Sequence, residues 1–156
     1  MDASHGDSVV IEPAGWRDLN ALRQLEKECF PKDAWPLWDV IGILTLPGVV
    51  RLKAVAGDQM VGFIGMDIRQ SERLAWIATI GVLPVFRRRG IGGSLLEAGE
   101  RELEARNGRI SAIRLTVRSS NQTAIQLYES YGYRRIGVWP DYYSDREDGL
   151  VMEKSL

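Results

Sequence analysis

Nine consecutive residues, Phe86-Arg87-Arg88-Arg89-Gly90-Ile91-Gly92-Gly93-Ser94, set three arginines beside three glycines. Guanidinium groups and a freely curling glycine backbone are the materials of an anion site. Before the stretch runs Leu74–Val82, apolar, rich in β-formers and closed by Pro84. After it, residues 95–106 have a helical period. The arginines and glycines therefore fall on a strand-to-helix turn, where the helix start adds its positive end. Phosphate is the natural anion for such a cradle. A glycine-rich turn with a solvated basic patch explains the same residues, and the stretch alone leaves both readings open. Two familiar phosphate loops do not fit. A dinucleotide fingerprint needs a third glycine where Leu95 stands, and a P-loop needs a Gly-Lys-Ser/Thr tripeptide that is absent.

Residue types that are scarce narrow the chemistry further. The one histidine, His5, lies in a polar start, residues 1–8, expected to be flexible. Ser-His-Asp and Cys-His catalysis thus lack a base, and a His/Cys zinc site lacks ligands. No tight carboxylate cluster suggests another metal. The single cysteine, Cys29, has no internal disulfide partner and no base beside it. A net charge of −1 gives no bulk pull toward nucleic acid. Residues 1–8 lack the basic start and apolar run of a signal peptide, and the apolar run at 40–50 is broken by Gly42, Pro47 and Gly48, too short for a bilayer. The expectation is a cytoplasmic protein with no membrane partner, its residues 9–156 forming one domain.

The elements that must position the turn can be read in order. Val9-Val10-Ile11 is a short strand. Leu19, Leu22 and Leu25 recur at helical spacing, with Trp16 one turn earlier and Asp18 as N-cap. That helix ends near Cys29-Phe30, before Pro31. Residues 37–46 form a second helix. Residues 49–56 and 60–67 are strands joined at Gly57-Asp58, followed by the strand at 74–82. The helix after the turn stops at Asn107-Gly108. Residues 112–117 alternate as a strand. A further helix starts at a Ser119/Gln122 capping box, carries Ala124, Leu127, Tyr128 and Tyr131 as its apolar stripe, and closes at Gly132. Strands at 133–139 and 150–154, joined by the polar loop 140–149, complete an order β-α-α-β-β-β-α-β-α-β-β. A mixed α/β sheet follows from that order.

Arg87-Arg88-Arg89-Gly90-Ile91-Gly92 fits [RQ]-x-x-G-x-[GA] and resembles the pyrophosphate loop of the GNAT acetyltransferases. The element order is also that of the GNAT fold, a mostly antiparallel mixed sheet of about seven strands flanked by about four helices. A longer segment is more specific: Leu115-Thr116-Val117-Arg118-Ser119-Ser120-Asn121, then Ala124-Ile125, Leu127-Tyr128 and Gly132-Tyr133. It resembles the protein N-terminal acetyltransferases, of both the ribosomal-protein and the N-alpha type. Phe30-Pro31, residues 77–82, Asp141-Tyr142-Tyr143 and residues 147–152 continue the likeness, which covers roughly residues 9–155.

The resemblance implies acetyl-coenzyme A (acetyl-CoA) as cofactor and no metal. Backbone amides from Arg88 through Arg89, Gly90, Ile91, Gly92 and Gly93 to Ser94 would hold the pyrophosphate, with the arginines, Arg87 included, adding side-chain contacts. Backbone groups of Ile80 and Val82 would pair with the pantetheine arm, which Asn121 would also bond, with Ala124 in register beside it. Tyr128 would protonate the leaving thiolate. Tyr142 and Tyr143 would form part of an acceptor slot, with Phe30 and Pro31 lining the pocket for its first side chain. The implied partner is an acceptor protein or peptide N-terminus, a ribosomal protein among the candidates, and the enzyme a monomer or homodimer. Each residue also has a plainer role available: Tyr128 as core, Asn121 as helix cap, the tyrosine pair as packing, Phe30-Pro31 as a plugged helix end.

One position departs from the pattern. Ribosomal-protein-type relatives carry a glutamate, and some others a histidine, where this chain has Thr116, which is no base near neutral pH. Trp76 likewise stands near where some relatives carry a tyrosine. An α-amine has a pKa of about 7.7–8.0 and a lysine about 10.4, so near pH 7 roughly a tenth of α-amines are already neutral against about 0.04% of lysines. That difference, roughly 3.5 kcal/mol of deprotonation work, favours an Nα acceptor for an enzyme without a strong base. Asp141, Asp145 and Glu147 are alternative bases from the acceptor loop. Thr116 also leaves open a small-amine or polyamine acceptor, and a catalytically weak coenzyme A-binding sensor or interaction module.

Overall fold

The computed structural model describes residues 8–106 and 109–156; the expectations for residues 1–7, His5 among them, and for the Asn107-Gly108 stop lie outside these. The described chain forms β1 (Val9–Pro13), α1 (Leu19–Cys29), α2 (Leu37–Thr45), β2 (Val49–Ala56), β3 (Gln59–Arg69), β4 (Leu74–Val82), α3 (Ile91–Ala105), β5 (Ala112–Arg118), α4 (Gln122–Ser130), β6 (Arg134–Trp139) and β7 (Gly149–Ser155). Short 3-10 turns precede α1, β4 and α3. No described helix is long and apolar enough to cross a membrane.

The strands make one seven-stranded sheet in the order β1-β2-β3-β4-β5-β7-β6. Every neighbouring pair is antiparallel except β4 and β5. That parallel pair is short. Only Leu74, Ala75 and Trp76 pair with Ala112, Ile113 and Arg114. Beyond Trp76 the two strands part, although β4 continues to Val82 and β5 to Arg118. A bulge lies at the parting: Met66 pairs with Ile77 and Gly65 with Thr79, so Ala78 has no partner on β3. An extra residue on one strand bends it and increases its twist. Here it turns the second half of β4 away from β5.

Side chains alternate across β3 and assign the two faces of the sheet. An added Cβ on Gly62 would meet Leu95 of α3, and one on Gly65 would meet Ile43 of α2. So α3 covers one face and α2 the other, with α1 packed against β3 and β4 beside α2. Leu22, Leu25, Phe63, Ile64, Leu95, Leu96 and Ile113 are at most 2% exposed. Each such side chain stabilises the fold by roughly 1.5–3 kcal/mol through burial.

Local details differ from the sequence expectation in three places. Trp16 lies in the 3-10 turn before α1 and is 68% exposed, off the buried stripe. Asp18 occupies the α1 N-cap position without a capping bond; its carboxylate instead accepts from the Gly15 amide at 2.9 Å and pairs with Lys53 at 2.8 Å. The cap of α4 is Asn121, a role the sequence also allowed it, with Oδ1 accepting from Ala124 N–H at 3.2 Å, whereas the expected Ser119/Gln122 box does not form. At the two caps a competing partner decided the outcome: Gly15 and Lys53 for Asp18, and Asn121 in place of Ser119 for α4.

Candidate active site

At one end of the β4/β5 opening lies the Arg/Gly turn. Gly90 caps α3 with φ +80°, a left-handed conformation that glycine adopts without steric cost. No side chain caps this helix. The first intrahelical bond there is Ser94 N–H to Gly90 C=O at 3.0 Å, which leaves the amides of Ile91, Gly92 and Gly93 as the unbonded helix start. Three uncapped amides with the helix dipole behind them fit an anion. Arg88 has φ +64°. A non-glycine residue there costs about 1–2 kcal/mol. Arg87 donates from Nε to the Val82 carbonyl at 2.9 Å, and the Arg89 guanidinium lies 4.9 Å from the Phe86 ring.

Close packing explains the glycines. A Cβ on Gly93 would lie 1.9 Å from the Tyr131 hydroxyl, and one on Gly92 would lie 3.2 Å from Leu127. The α4 stripe thus presses directly on the start of α3. Gly81 makes similar room on β4 for Cys29 and the Phe30 ring, each about 3.2–3.3 Å from where its Cβ would be. Burial pushes the Cys29 thiol up, only partly offset by Arg87 beside it, so it stays protonated and is no nucleophile.

At the other end lies an open cleft of about 760 Å³. Its lining includes Asp33, Trp35, Trp76, Ile77, Ala78, Thr116, Trp139, Tyr142 and Tyr143. Trp76 stacks on Trp139 at 5.9 Å, Trp139 meets Tyr142 at a tilt at 5.3 Å, and Tyr142 meets Tyr143 edge-on at 4.9 Å. Gly149 lets this wall close over β5: its added Cβ would lie 2.7 Å from Thr116 and 3.0 Å from the Tyr142 ring. Phe30 and Pro31 are not in the lining; the following residues 32–35 are.

Tyr128 is 8% exposed on α4, edge-on to Tyr133 at 6.0 Å. Burial, with a smaller contribution from the Tyr143 phenol nearby, holds its hydroxyl well above the ordinary phenol value. Burial likewise pushes Tyr143 up to about 12. Tyr128 is therefore a standing proton donor at neutral pH. Tyr128 itself is not among the lining residues of the cleft, whereas Tyr143, whose phenol lies near it, is.

The chain as a whole has relatives among known proteins. The sequence matches the acetyltransferase (GNAT) family over residues 19–133. The chain is a GNAT acetyltransferase. An N-alpha-acetyltransferase from Sulfurisphaera tokodaii is 38% identical over 99% of this chain and 98% of its own length. The crystal structure of the ribosomal-protein-S18-alanine N-acetyltransferase from Escherichia coli superposes with a TM-score of 0.85 at 27% identity, covering 95% of this chain and 94% of that one. Arabidopsis thaliana NAA60 in complex with acetyl-CoA gives a TM-score of 0.83 at 19% identity over 96% and 99% of the two chains, a likeness of fold alone.

Two features of this acetyltransferase escaped the sequence reading. Glu26 on α1 is 2% exposed; its Oε2 accepts from the Thr79 hydroxyl at 2.8 Å and its Oε1 has no hydrogen-bond partner. Burial raises this carboxyl, while the Thr79 bond and the Trp35 amide pull it partway back. Arg118 at the end of β5 gathers Asp33, Asp145 and Glu147 around one guanidinium. Its signal was present in the sequence, since Arg114, Thr116 and Arg118 alternate with buried Leu115 and Val117. Its partners, 27 to 85 residues away, were not.

Proposed function

We propose that this GNAT acetyltransferase transfers acetyl from acetyl-CoA to the N-terminal α-amine of a protein or peptide. The observation that carries the reading is the parting of β4 from β5, with uncapped helix amides at one end and an aromatic cleft at the other. The amides of residues 91–93 and the arginines of the turn bind the pyrophosphate. The unpaired edge of β4 between Ile77 and Val82 receives the pantetheine arm as a surrogate strand. Val82 offers less than its neighbours there, because Arg87 already occupies its carbonyl. Asn121 spends its Oδ1 on the α4 cap, so its amide nitrogen is the group left for the coenzyme.

When bound, acetyl-CoA supplies an acetyl group activated as a thioester for direct attack by an amine. Tyr128 acts on the departing sulfur. A thiol has an ordinary pKa of about 8.5, so complete proton transfer from a phenol held above about 10 is uphill. Tyr128 therefore serves mainly by donating a hydrogen bond to the developing thiolate, with the proton following from solvent. On the acceptor side Thr116 offers a hydroxyl and no base. The amine arrives partly neutral, and its remaining proton leaves through water in the open cleft.

The kinship with proteins named as N-alpha- and ribosomal-protein N-acetyltransferases supports the peptide acceptor. The test is mass spectrometry of a peptide library incubated with enzyme and acetyl-CoA. Acetyl groups on first-residue α-amines are expected. Turnover confined to free small amines would overturn the peptide reading, and coenzyme binding without turnover of any amine would leave a sensor or interaction module.

A further inference from the structure

The Arg118 cluster lies outside the transfer chemistry, yet it joins two separate walls of the cleft. Nε and Nη2 of Arg118 grip both oxygens of Asp33 at 2.8 Å each, a fork-on-fork pair. Nη1 donates to both oxygens of Asp145 at 2.9 and 3.0 Å and to Glu147 at 2.8 Å. The guanidinium also lies 4.3 Å from the Tyr143 ring. Asp33 belongs to the loop between α1 and α2, and Asp145, Glu147 and Tyr143 to the loop between β6 and β7. Both loops supply cleft lining: residues 32–35 from the first, residues 142–144 from the second.

One cation here holds three anions. Its side chain is 15% exposed, and the contacts raise its pKa, first through Asp33 and then against the cost of burial. The Ser120 hydroxyl, and after it this guanidinium and the Ser120 amide, hold Glu147 down at about 2. Without the guanidinium the three carboxylates would repel one another, and the loops would part. A further ion pair between these loops, Lys32 to Asp145, is 3.9 Å long with Lys32 75% exposed, and contributes little. Glu147 is additionally tied to the start of α4 by the Ser120 amide at 2.8 Å, so the β6–β7 loop is the anchored partner and the α1–α2 loop is the one Arg118 draws in.

We infer that Arg118 is a positioning residue for the acceptor: by clamping the α1–α2 loop to the β6–β7 loop it sets the width of the cleft that receives the amine. This rests on the reading of that cleft as the acceptor site. Arg118 touches neither the pyrophosphate turn nor the β4 edge. Its loss weakens acceptor binding and leaves coenzyme binding intact. Lysine in its place supplies charge without the fork that spans three carboxylates, so it rescues only partly.

The test combines steady-state kinetics with hydrogen exchange on the full chain. For Arg118→Gln the acceptor KM is expected to rise about tenfold or more, with Arg118→Lys in between, as befits loss of acceptor orientation. The acetyl-CoA KM is expected to stay within about twofold, since none of its contacts change. Amide exchange should speed up in residues 32–36 and 141–148 and stay unchanged in residues 80–94. Asp33→Asn, which leaves the arginine in place, should reproduce the effect on the 32–36 segment alone. An unchanged acceptor KM, or exchange that rises uniformly along the chain, would overturn the inference. Peptide turnover by the unaltered protein tests the acceptor class separately. The exchange measurement needs no acceptor and decides by itself whether Arg118 clamps the two loops together.

Discussion

Around residues 90–94 the site is built from backbone: uncapped amides, a glycine at positive φ and glycines that admit Tyr131 and Leu127. Around Thr116 it is built from side chains: a run of contacting rings from Trp76 to Tyr143 and one arginine among three carboxylates. A backbone site recognises a feature common to every coenzyme molecule and tolerates little change in shape. A side-chain site can be recut residue by residue, so under the proposed function it is where acceptor preference would be set. The departure at Thr116 falls in the second region, where substitution leaves the frame standing.

Several substitutions would sharpen or break that contrast. Tyr128, between the two regions, should matter most. Tyr128→Phe keeps the buried ring and removes the donor, so kcat should fall by about 10²–10³-fold while Tm barely moves. An unchanged kcat at saturating substrates would remove Tyr128 from the chemistry. Gly93→Ala comes next, as the backbone region's probe. Its methyl must displace the Tyr131 hydroxyl, which should cost about 1–3 kcal/mol of stability and loosen coenzyme binding, measured by urea unfolding and calorimetric titration. Adding Tyr131→Ala should recover part of the stability, because the conflict is one of space.

For the acceptor region the pH dependence is the finer instrument. With no base at Thr116, kcat/KM for a peptide should climb about tenfold per pH unit and level off near the α-amine pKa of about 7.7–8.0. Thr116→Glu should raise the rate below that pH by several-fold at most and flatten the climb. A wild-type profile already flat from pH 6 upward would mean that a group in the cleft takes the proton.

The smallest expected effect lies beneath both regions, at Glu26. Burial raises this carboxyl above its ordinary 4.5. The folded state then binds more protons than the unfolded one between 4.5 and the raised value, so stability is fully present below 4.5 and declines as pH rises through the folded pKa. Glu26→Gln should remove that decline, leaving stability flatter above pH 4.5 in urea unfolding. Parallel curves for the two proteins would place the titration elsewhere.

The same contrast explains what could be read in advance. Glycine spacing marks backbone geometry directly, so the Arg/Gly turn was recognisable from nine residues, and β2, β4 and α2 fell within a residue of their expected limits because their signals are local. The wall of the cleft depends on groups far apart in the chain. Nothing near Asp33 announces Arg118, and nothing near Glu26 announces Thr79. Asn121 shows the intermediate case: the helix start was legible, but which polar residue would cap it depended on geometry that the Ser119/Gln122 spacing mimics. Phe30 and Pro31 were legible as a helix end, whereas the cleft lining begins one residue later, because the Phe30 ring turns under Gly81.

The three-residue parallel ladder at Leu74, Ala75 and Trp76 has a mechanical side. It makes the sheet a book with a short spine, four strands on one cover and three on the other. A coenzyme lodged in the open seam would act as a splint between the covers, and its stabilising effect would grow with ligand concentration as mass action requires. The stiffness of one half-sheet against the other would then register occupancy of the seam, long before any acetyl group has moved.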